Sequence, residues 1–299
     1  METVRLGDSG LEVSRVGLGC NNFGRRIDLD ATRAVVEAAL EAGITFFDTA
    51  ETYGGGESER FLGELIEGRR NGVALATKFG WGGEKGDGSA ATVQAAIGGS
   101  LERLRTDHVD LYYLHKPDPS TSVAETLQAL NDLVEGGRIR AVGICNVSAE
   151  ELAEADRVAR ELGTARFTVV QNEYSLLKRH DDADVLPLCR ELGIAYVPYF
   201  PLASGLLTGK YRRGEPAPEG SRLSGRAIAD ERFDRIEAFE AFAGERGHTL
   251  LELAVSALAS TPGMGSIIAG ATKSEQVRAN AAAAAWRLTD TELDELART

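Results

Sequence analysis

Short apolar runs alternate along this chain with stretches whose apolar residues recur every three or four positions, and that alternation restricts the possible folds more than any other feature. The runs are Ser14–Cys20, Thr45–Thr49, Val73–Lys78, Val109–His115, Ile139–Asn146, Phe167–Asn172, Ile194–Phe200 and Ser266–Gly270. Near-continuous apolar segments separated by helix-length stretches predict parallel strands, buried on both faces and joined by crossover helices. In one intervening stretch Val93, Ile97, Leu101 and Leu104 fall at spacings of 4, 4 and 3, and in the next Val123, Leu127, Leu130 and Val134 fall at 4, 3 and 4. Each set lies on one helical face. Ser148 with Glu151 and Thr249 with Glu252 mark helix starts, because each pair can satisfy backbone donors that have no partner inside the helix. Eight strand–helix units in 299 residues predict an α/β chain folded as a (β/α)8 TIM barrel, a single domain over 1–299. An N-terminal β-hairpin (Thr3–Val13, turning at Asp8-Ser9-Gly10), a long polar loop over 209–229 after strand seven and a short C-terminal tail complete the expectation. An open doubly wound sheet is the alternative; every Gly-x-Gly pair here lacks the third glycine of the usual dinucleotide turn.

Composition narrows the partners. Acidic residues number 46 against 33 basic, a net charge of −13, which repels nucleic-acid phosphates and anionic lipid surfaces and points to a small-molecule partner instead. The three cysteines contain no Cys-x-x-Cys pair, and the four histidines have no ligand spacing, so neither a disulfide framework nor a metal site is expected. The apolar runs are short and no signal-peptide pattern opens the chain, which predicts a cytoplasmic protein. Oligomeric state is not encoded legibly.

In a barrel of this kind chemistry sits at the C-terminal ends of the strands. Those ends deliver Asp48 with Tyr53 beyond it, Lys78, His115, Asn146, Gln171 with Asn172, Tyr199 with Phe200, and Gly270 with Thr272. Lys78 closes a buried strand and needs a carboxylate, and Asp48 is the neighbouring one. A tyrosine beside that lysine should have its phenol pKa lowered toward neutrality, fitting Tyr53 for proton transfer to a developing alkoxide. His115 would donate a hydrogen bond to the carbonyl oxygen. Two other readings stand beside this one: a purely structural ion pair, and a Schiff-base nucleophile at Lys78 in an aldolase-type barrel.

The segments Phe46–Gly54 (FFDTAETYG), Ala76–Gly80 (ATKFG), Asp110–Asp118 (DLYYLHKPD), Val142–Asn146 (VGICN), Gln171–Ser175 (QNEYS), Pro201–Tyr211 (PLASGLLTGKY) and Gly270–Lys273 (GATK) resemble, in order and over the whole chain, the signatures of the aldo-keto reductase superfamily. The resemblance implies a barrel that binds NADPH/NADP+ (NADH being possible) and reduces aldehydes or ketones. It implies Tyr53 as general acid/base, Asp48 and Lys78 as its tuning pair, and His115 as the substrate-orienting group. Asn146 and Gln171 would hold the nicotinamide carboxamide, Tyr199 would stack on its ring, and Phe200 would adjoin it. Leu202, Ser204, Gly205, Leu206 and Lys210 would meet the pyrophosphate beneath a clasp that includes Arg222. Gly270, Thr272, Lys273, Gln276 and Asn280 would wrap the adenosine, with Lys273 suited to the 2′-phosphate at a helix start. Asn22, Phe23 and Trp81 would line the substrate pocket. Some members of the superfamily serve as cofactor-binding regulatory subunits, which gives the alternative function.

Overall fold

The structure, a computed structural model, describes residues 1–83 and 86–299. Strands β1 (Thr3–Arg5) and β2 (Glu12–Ser14) form an antiparallel hairpin with Thr3 opposite Ser14. Eight further strands follow: β3 (Val16–Gly19), β4 (Phe46–Asp48), β5 (Ala74–Phe79), β6 (Val109–Leu114), β7 (Ile139–Cys145), β8 (Phe167–Gln171), β9 (Ala195–Tyr196) and β10 (Ile267–Gly270). Each coincides with one of the eight apolar runs. They form one parallel sheet in the order β10-β3-β4-β5-β6-β7-β8-β9. Parallel bridges from Tyr196 to Met264 and from Tyr199 to Ile268 join the two ends of that order, closing the (β/α)8 barrel.

Around it run α1 (Leu29–Glu41), α2 (Glu57–Leu65), α3 (Ala90–Leu104), α4 (Val123–Glu135), α5 (Ala149–Leu162), α6 (Val185–Leu192), α7 (Asp230–Gly244), α8 (Leu250–Ser260), α9 (Ser274–Ala282) and α10 (Asp290–Arg298). The capping boxes at Ser148–Glu151 and Thr249–Glu252 both form. Two helices go beyond the sequence expectation. One is α7, which buries Phe233, Ile236, Phe239 and Phe242; the other is α10, which turns the expected tail into a helix opened by a third box at Thr289–Glu292. Strand seven is shorter than its apolar run, because Pro198 has no N–H to give the ladder and Phe200 turns to φ +52°. No helix or strand interrupts 209–229, as expected of the long loop.

Three apolar clusters hold the molecule together. One lies between the strands and the helix ring. A second, under α7, α8 and α10, anchors the start of the long loop through Leu206, Leu207 and Tyr211. The third fills the barrel interior, where Leu6, Leu11 and Val13 of the hairpin pack beneath Phe46, Leu111 and Val169. The hairpin therefore plugs one end of the barrel, and chemistry is left to the other.

Candidate active site

Lys78 lies in β5, in a register that sends its side chain beneath the floor of the site, where it is fully buried. An ammonium there has three protons to place, and it places them all: on Asp48 Oδ1 at 2.5 Å, on the Thr49 carbonyl at 2.7 Å and on the Tyr53 hydroxyl at 3.4 Å. Burial is the largest single influence and works against its charge, but Asp48, with smaller contributions from Tyr53 and Cys145, holds the ammonium above its ordinary pKa. The second oxygen of Asp48 accepts from Gln171 Nε2 at 2.8 Å.

The segment after β4 continues the ladder against β5: Thr49 N donates to Ala76 O at 2.9 Å and Glu51 N to Lys78 O at 3.2 Å. Glu51 also accepts from Gly80 N at 3.1 Å, tying this loop to the one that carries Trp81. Tyr53 then opens a tight turn in which Gly54 and Gly55 take φ of +60° and +67°. At Gly54 a Cβ would come within 2.7 Å of the Phe23 carbonyl, so glycine alone permits the approach. Tyr53 is thus fixed with its hydroxyl against Lys78. Its phenol pKa is raised above 10, because burial outweighs the pull of Lys78. That corrects the expectation of a lowered value: Lys78 is already neutralised by Asp48, whose charge opposes the phenolate.

His115 follows β6, held by its N–H on Phe79 O at 2.8 Å. Burial and the nearby Lys78 lower its pKa to about 3, so the imidazole is neutral, and its Nδ1 is buried with no protein partner. Its ring packs 4.7 Å from Trp81 and 6.0 Å, edge-on, from Tyr53. Asn146 takes φ +57° at the end of β7; its amide donates to His115 O at 2.9 Å and accepts from the Tyr199 hydroxyl at 2.7 Å. Phe200 at φ +52° is a stronger departure, since an aromatic residue pays about 1–3 kcal/mol for such a backbone and it persists only where the surroundings enforce it.

These groups share a cavity of about 830 Å³ at the C-terminal ends of the strands. Of the expected site residues it is lined by Asp48, Tyr53, His115, Asn146, Gln171, Tyr199, Phe200, Leu202, Ser204, Gly205, Lys210, Arg222, Gly270, Thr272, Gln276, Asn280, Asn22 and Trp81. Four do not line it. Lys78 lies below it, bonded to Asp48 and Tyr53. Phe23 is fully buried in the core outside the barrel, because the turn after β3 directs its ring inward. Leu206 is buried in the cluster beneath the long loop. Lys273 is exposed at the N-cap of α9. The long loop's charges also divide: Arg212 pairs with Glu240, and Arg213 with Asp234 and Glu237, all on α7, while Lys210 and Arg222 face the cavity. Arg25 and Arg26, which the strand-end reasoning passed over by stopping at Phe23, line it too. Their signal was the basic pair directly after Gly24.

Among the described residues no group of histidine, cysteine and carboxylate side chains is arranged to hold a metal ion, and no helix is long and apolar enough to cross a membrane. Residues 15–299 match the model of the aldo/keto reductase family. The chain is 36% identical to a probable voltage-gated potassium channel subunit beta of Oryza sativa subsp. japonica, over 94% of this chain and 90% of the relative. It is 34% identical, with the same coverage, to a protein of the same description from Arabidopsis thaliana. Against the aldo-keto reductase YhdN of Bacillus subtilis it is 33% identical over 96% of this chain and 90% of the relative. By sequence over nearly its full length, and by a barrel whose strand ends carry the family's motifs, the chain belongs to the aldo/keto reductase family.

Proposed function

We propose that the protein catalyses the reversible, NADPH-dependent reduction of aldehydes or ketones to alcohols. The observation that carries this reading is the Tyr53 hydroxyl, kept protonated by burial, set 3.4 Å from a buried ammonium at the floor of the cavity. The cavity suits a dinucleotide: four cations line it without carboxylate partners among the described residues, and Gly205 on its wall takes φ +94°, a backbone that favours glycine, in the turn beside Lys210. Lys210 and Arg222 would hold its phosphates, Asn146 and Gln171 its carboxamide, and the Tyr199 ring its nicotinamide face. When bound, the reduced nicotinamide supplies the hydride.

The chain's own residues supply the rest. Neutral His115 donates a hydrogen bond to the substrate's carbonyl oxygen and orients it over the floor. Tyr53 gives its hydroxyl proton to that oxygen as negative charge develops there, and Lys78 stabilises the phenolate left behind. Asp48 keeps Lys78 charged. In the reverse direction the phenolate takes the proton back. Trp81, 44% exposed beside His115, is placed to contact the rest of the substrate. The free thiols Cys20, Cys145 and Cys189 agree with a cytoplasmic setting for this chemistry.

The potassium channel subunits among the relatives favour a second reading, cofactor binding with little turnover. Turnover separates the two. Tyr53→Phe should lower NADPH oxidation with a reactive aldehyde by about 10²–10⁴-fold while NADPH affinity is unchanged. Full activity in that variant would reject the mechanism, and a wild-type protein that binds NADPH yet oxidises it with none of a panel of aldehydes would establish the second reading.

A further inference from the structure

Asn172 follows Gln171 at the end of β8, lines no part of the cavity and has no share in the chemistry described above. Its surroundings are nonetheless specific. The ladder between β7 and β8 ends with Cys145 opposite Gln171 and a bond from Asn146 N to Gln171 O at 3.1 Å. One step further, the side chain of Asn172 takes the place of a peptide group. Its Oδ1 accepts from Val147 N at 3.0 Å and its Nδ2 donates to Val147 O at 2.9 Å, so one amide satisfies both backbone groups of a buried residue. The other proton of that nitrogen goes to Asp181 Oδ2 at 2.7 Å. Asp181 is itself buried, in the short 3-10 turn His180–Asp182 ahead of α6. Its Oδ2 also accepts from the Tyr196 hydroxyl at 2.6 Å, and its Oδ1 lies 2.9 Å from His180 Nε2. Burial, and after it the bond to Asp181, raise the Tyr196 pKa, so that hydroxyl keeps its proton and donates. A carboxylate only accepts, which compels Asn172 to turn its nitrogen toward Asp181 and leaves its oxygen for Val147 N. The network stands directly behind two residues that do face the cavity. One is Asn146, immediately before Val147, in a left-handed backbone that asparagine tolerates but does not require. The other is Tyr199, whose N donates to Asn172 O at 3.0 Å and whose hydroxyl donates to Asn146 Oδ1 at 2.7 Å. The contacts close a ring, from Asn172 through Val147 to Asn146, across to Tyr199 and back to Asn172.

We propose that Asn172 and Asp181 are positioning residues for the nicotinamide end of the cofactor: Asp181 fixes the Asn172 amide, the amide pins Val147, and Asn146 and Tyr199 are thereby held in place. The proposal rests on the reading of Asn146 and Tyr199 as the groups that hold the carboxamide and the ring. Neither Asn172 nor Asp181 lines the cavity, so each acts only through those two residues, and its influence is confined to one end of the dinucleotide.

The test is calorimetric titration of the full-length protein with NADPH and with adenosine 2′,5′-bisphosphate, which carries the adenosine half and no nicotinamide. Asn172→Ala and Asp181→Ala should each lose about tenfold in NADPH affinity with bisphosphate affinity unchanged, and the retained bisphosphate binding reports an intact fold. Asp181→Asn keeps an acceptor facing Asn172 and should bind NADPH as the wild type does. Asn146→Ala should show the same selective loss, and adding Asn172→Ala to it should cost little more, because residues acting through one another are not additive. If Asn172→Ala binds neither ligand, Asp181→Ala, which leaves the clamp on Val147 present, decides by the same comparison. Equal losses for NADPH and the bisphosphate in Asp181→Ala overturn the proposal, as does undiminished NADPH affinity in both alanine variants. Fully additive losses in the double variant overturn it too, since Asn172 would then not work through Asn146. A wild type that binds NADPH no more tightly than the bisphosphate rejects the reading of Asn146 and Tyr199 beneath the proposal, an outcome distinct from any failure of Asn172 or Asp181.

Discussion

Tyr53 sits under opposing influences: burial, the largest, favours the neutral phenol, Lys78 favours the phenolate, and Asp48 works against Lys78. Burial prevails, and reduction requires the protonated form. The kcat/KM for carbonyl reduction should therefore stay level from neutral pH up to about pH 10, the ordinary range of a phenol, and fall only above it. A midpoint near neutrality would show that the lysine dominates after all. His115 carries the opposite kind of shift. Its folded pKa of about 3 lies below the ordinary 6.5, so between those values the unfolded chain binds a proton that the native state refuses. Stability from this group is complete above pH 6.5 and is lost as pH falls toward 3. His115→Gln should thus lose less stability than the wild type over that window in urea denaturation at stepped pH. Asp48→Ala should cost about 3–5 kcal/mol, because it strands a buried ammonium, as well as freeing Gln171 Nε2; a cost under about 1 kcal/mol would mean the pair behaves like an exposed one. At this scale the sequence was informative wherever a polar residue ended an apolar run, as at Asp48, Lys78 and His115. It was silent on the phenol's shift, which depends on how completely one neighbour's charge cancels another's.

The hairpin β1–β2 behaves as a plug rather than an appendage. Leu6 and Val13 are fully buried, and Gly7 at φ +53° brings its backbone so close to the Gly193 carbonyl that a Cβ would lie 2.5 Å away. Leu6→Ala should destabilise the protein by about 2–5 kcal/mol, measured by chemical denaturation; a near-neutral effect would show that the barrel end is closed without it. Elements were legible where a local signal sufficed: eight apolar runs, the spacings in α3 and α4, and two capping boxes. They were missed where the signal was weaker or needed context. In α7 the large buried apolar residues Phe233, Ile236, Phe239 and Phe242 fall in steps of three among many charges, and α10 buries only Leu296, so neither offers a broad apolar face. The shortened β9 shows a proline ending a ladder that the apolar pattern alone would extend.

On the scale of the whole molecule, a net charge of −13 coexists with a cavity wall that carries four cations. The global value describes the outer surface, and the site is a local exception to it. That exception was only partly legible. The long loop announced its basic residues, but the bonds that gather them join positions 194 and 200 residues apart, which no local periodicity encodes. Phe23 and Leu206 turn away from the cavity for the same reason, since strand-end position fixes where a loop begins and leaves open which of its side chains turn inward. Under the proposed function the molecule is a hydride-transfer enzyme whose Tyr53 serves as the proton donor. Its most direct test is to supply NADPH deuterated at C4, on each face in turn, with an aldehyde, and to locate the label in the alcohol by mass spectrometry. Deuterium on the carbinol carbon, delivered from one face only, is the predicted result. An alcohol that carries no label from either deuterated face, or substrate trapped on Lys78 by borohydride, would contradict it.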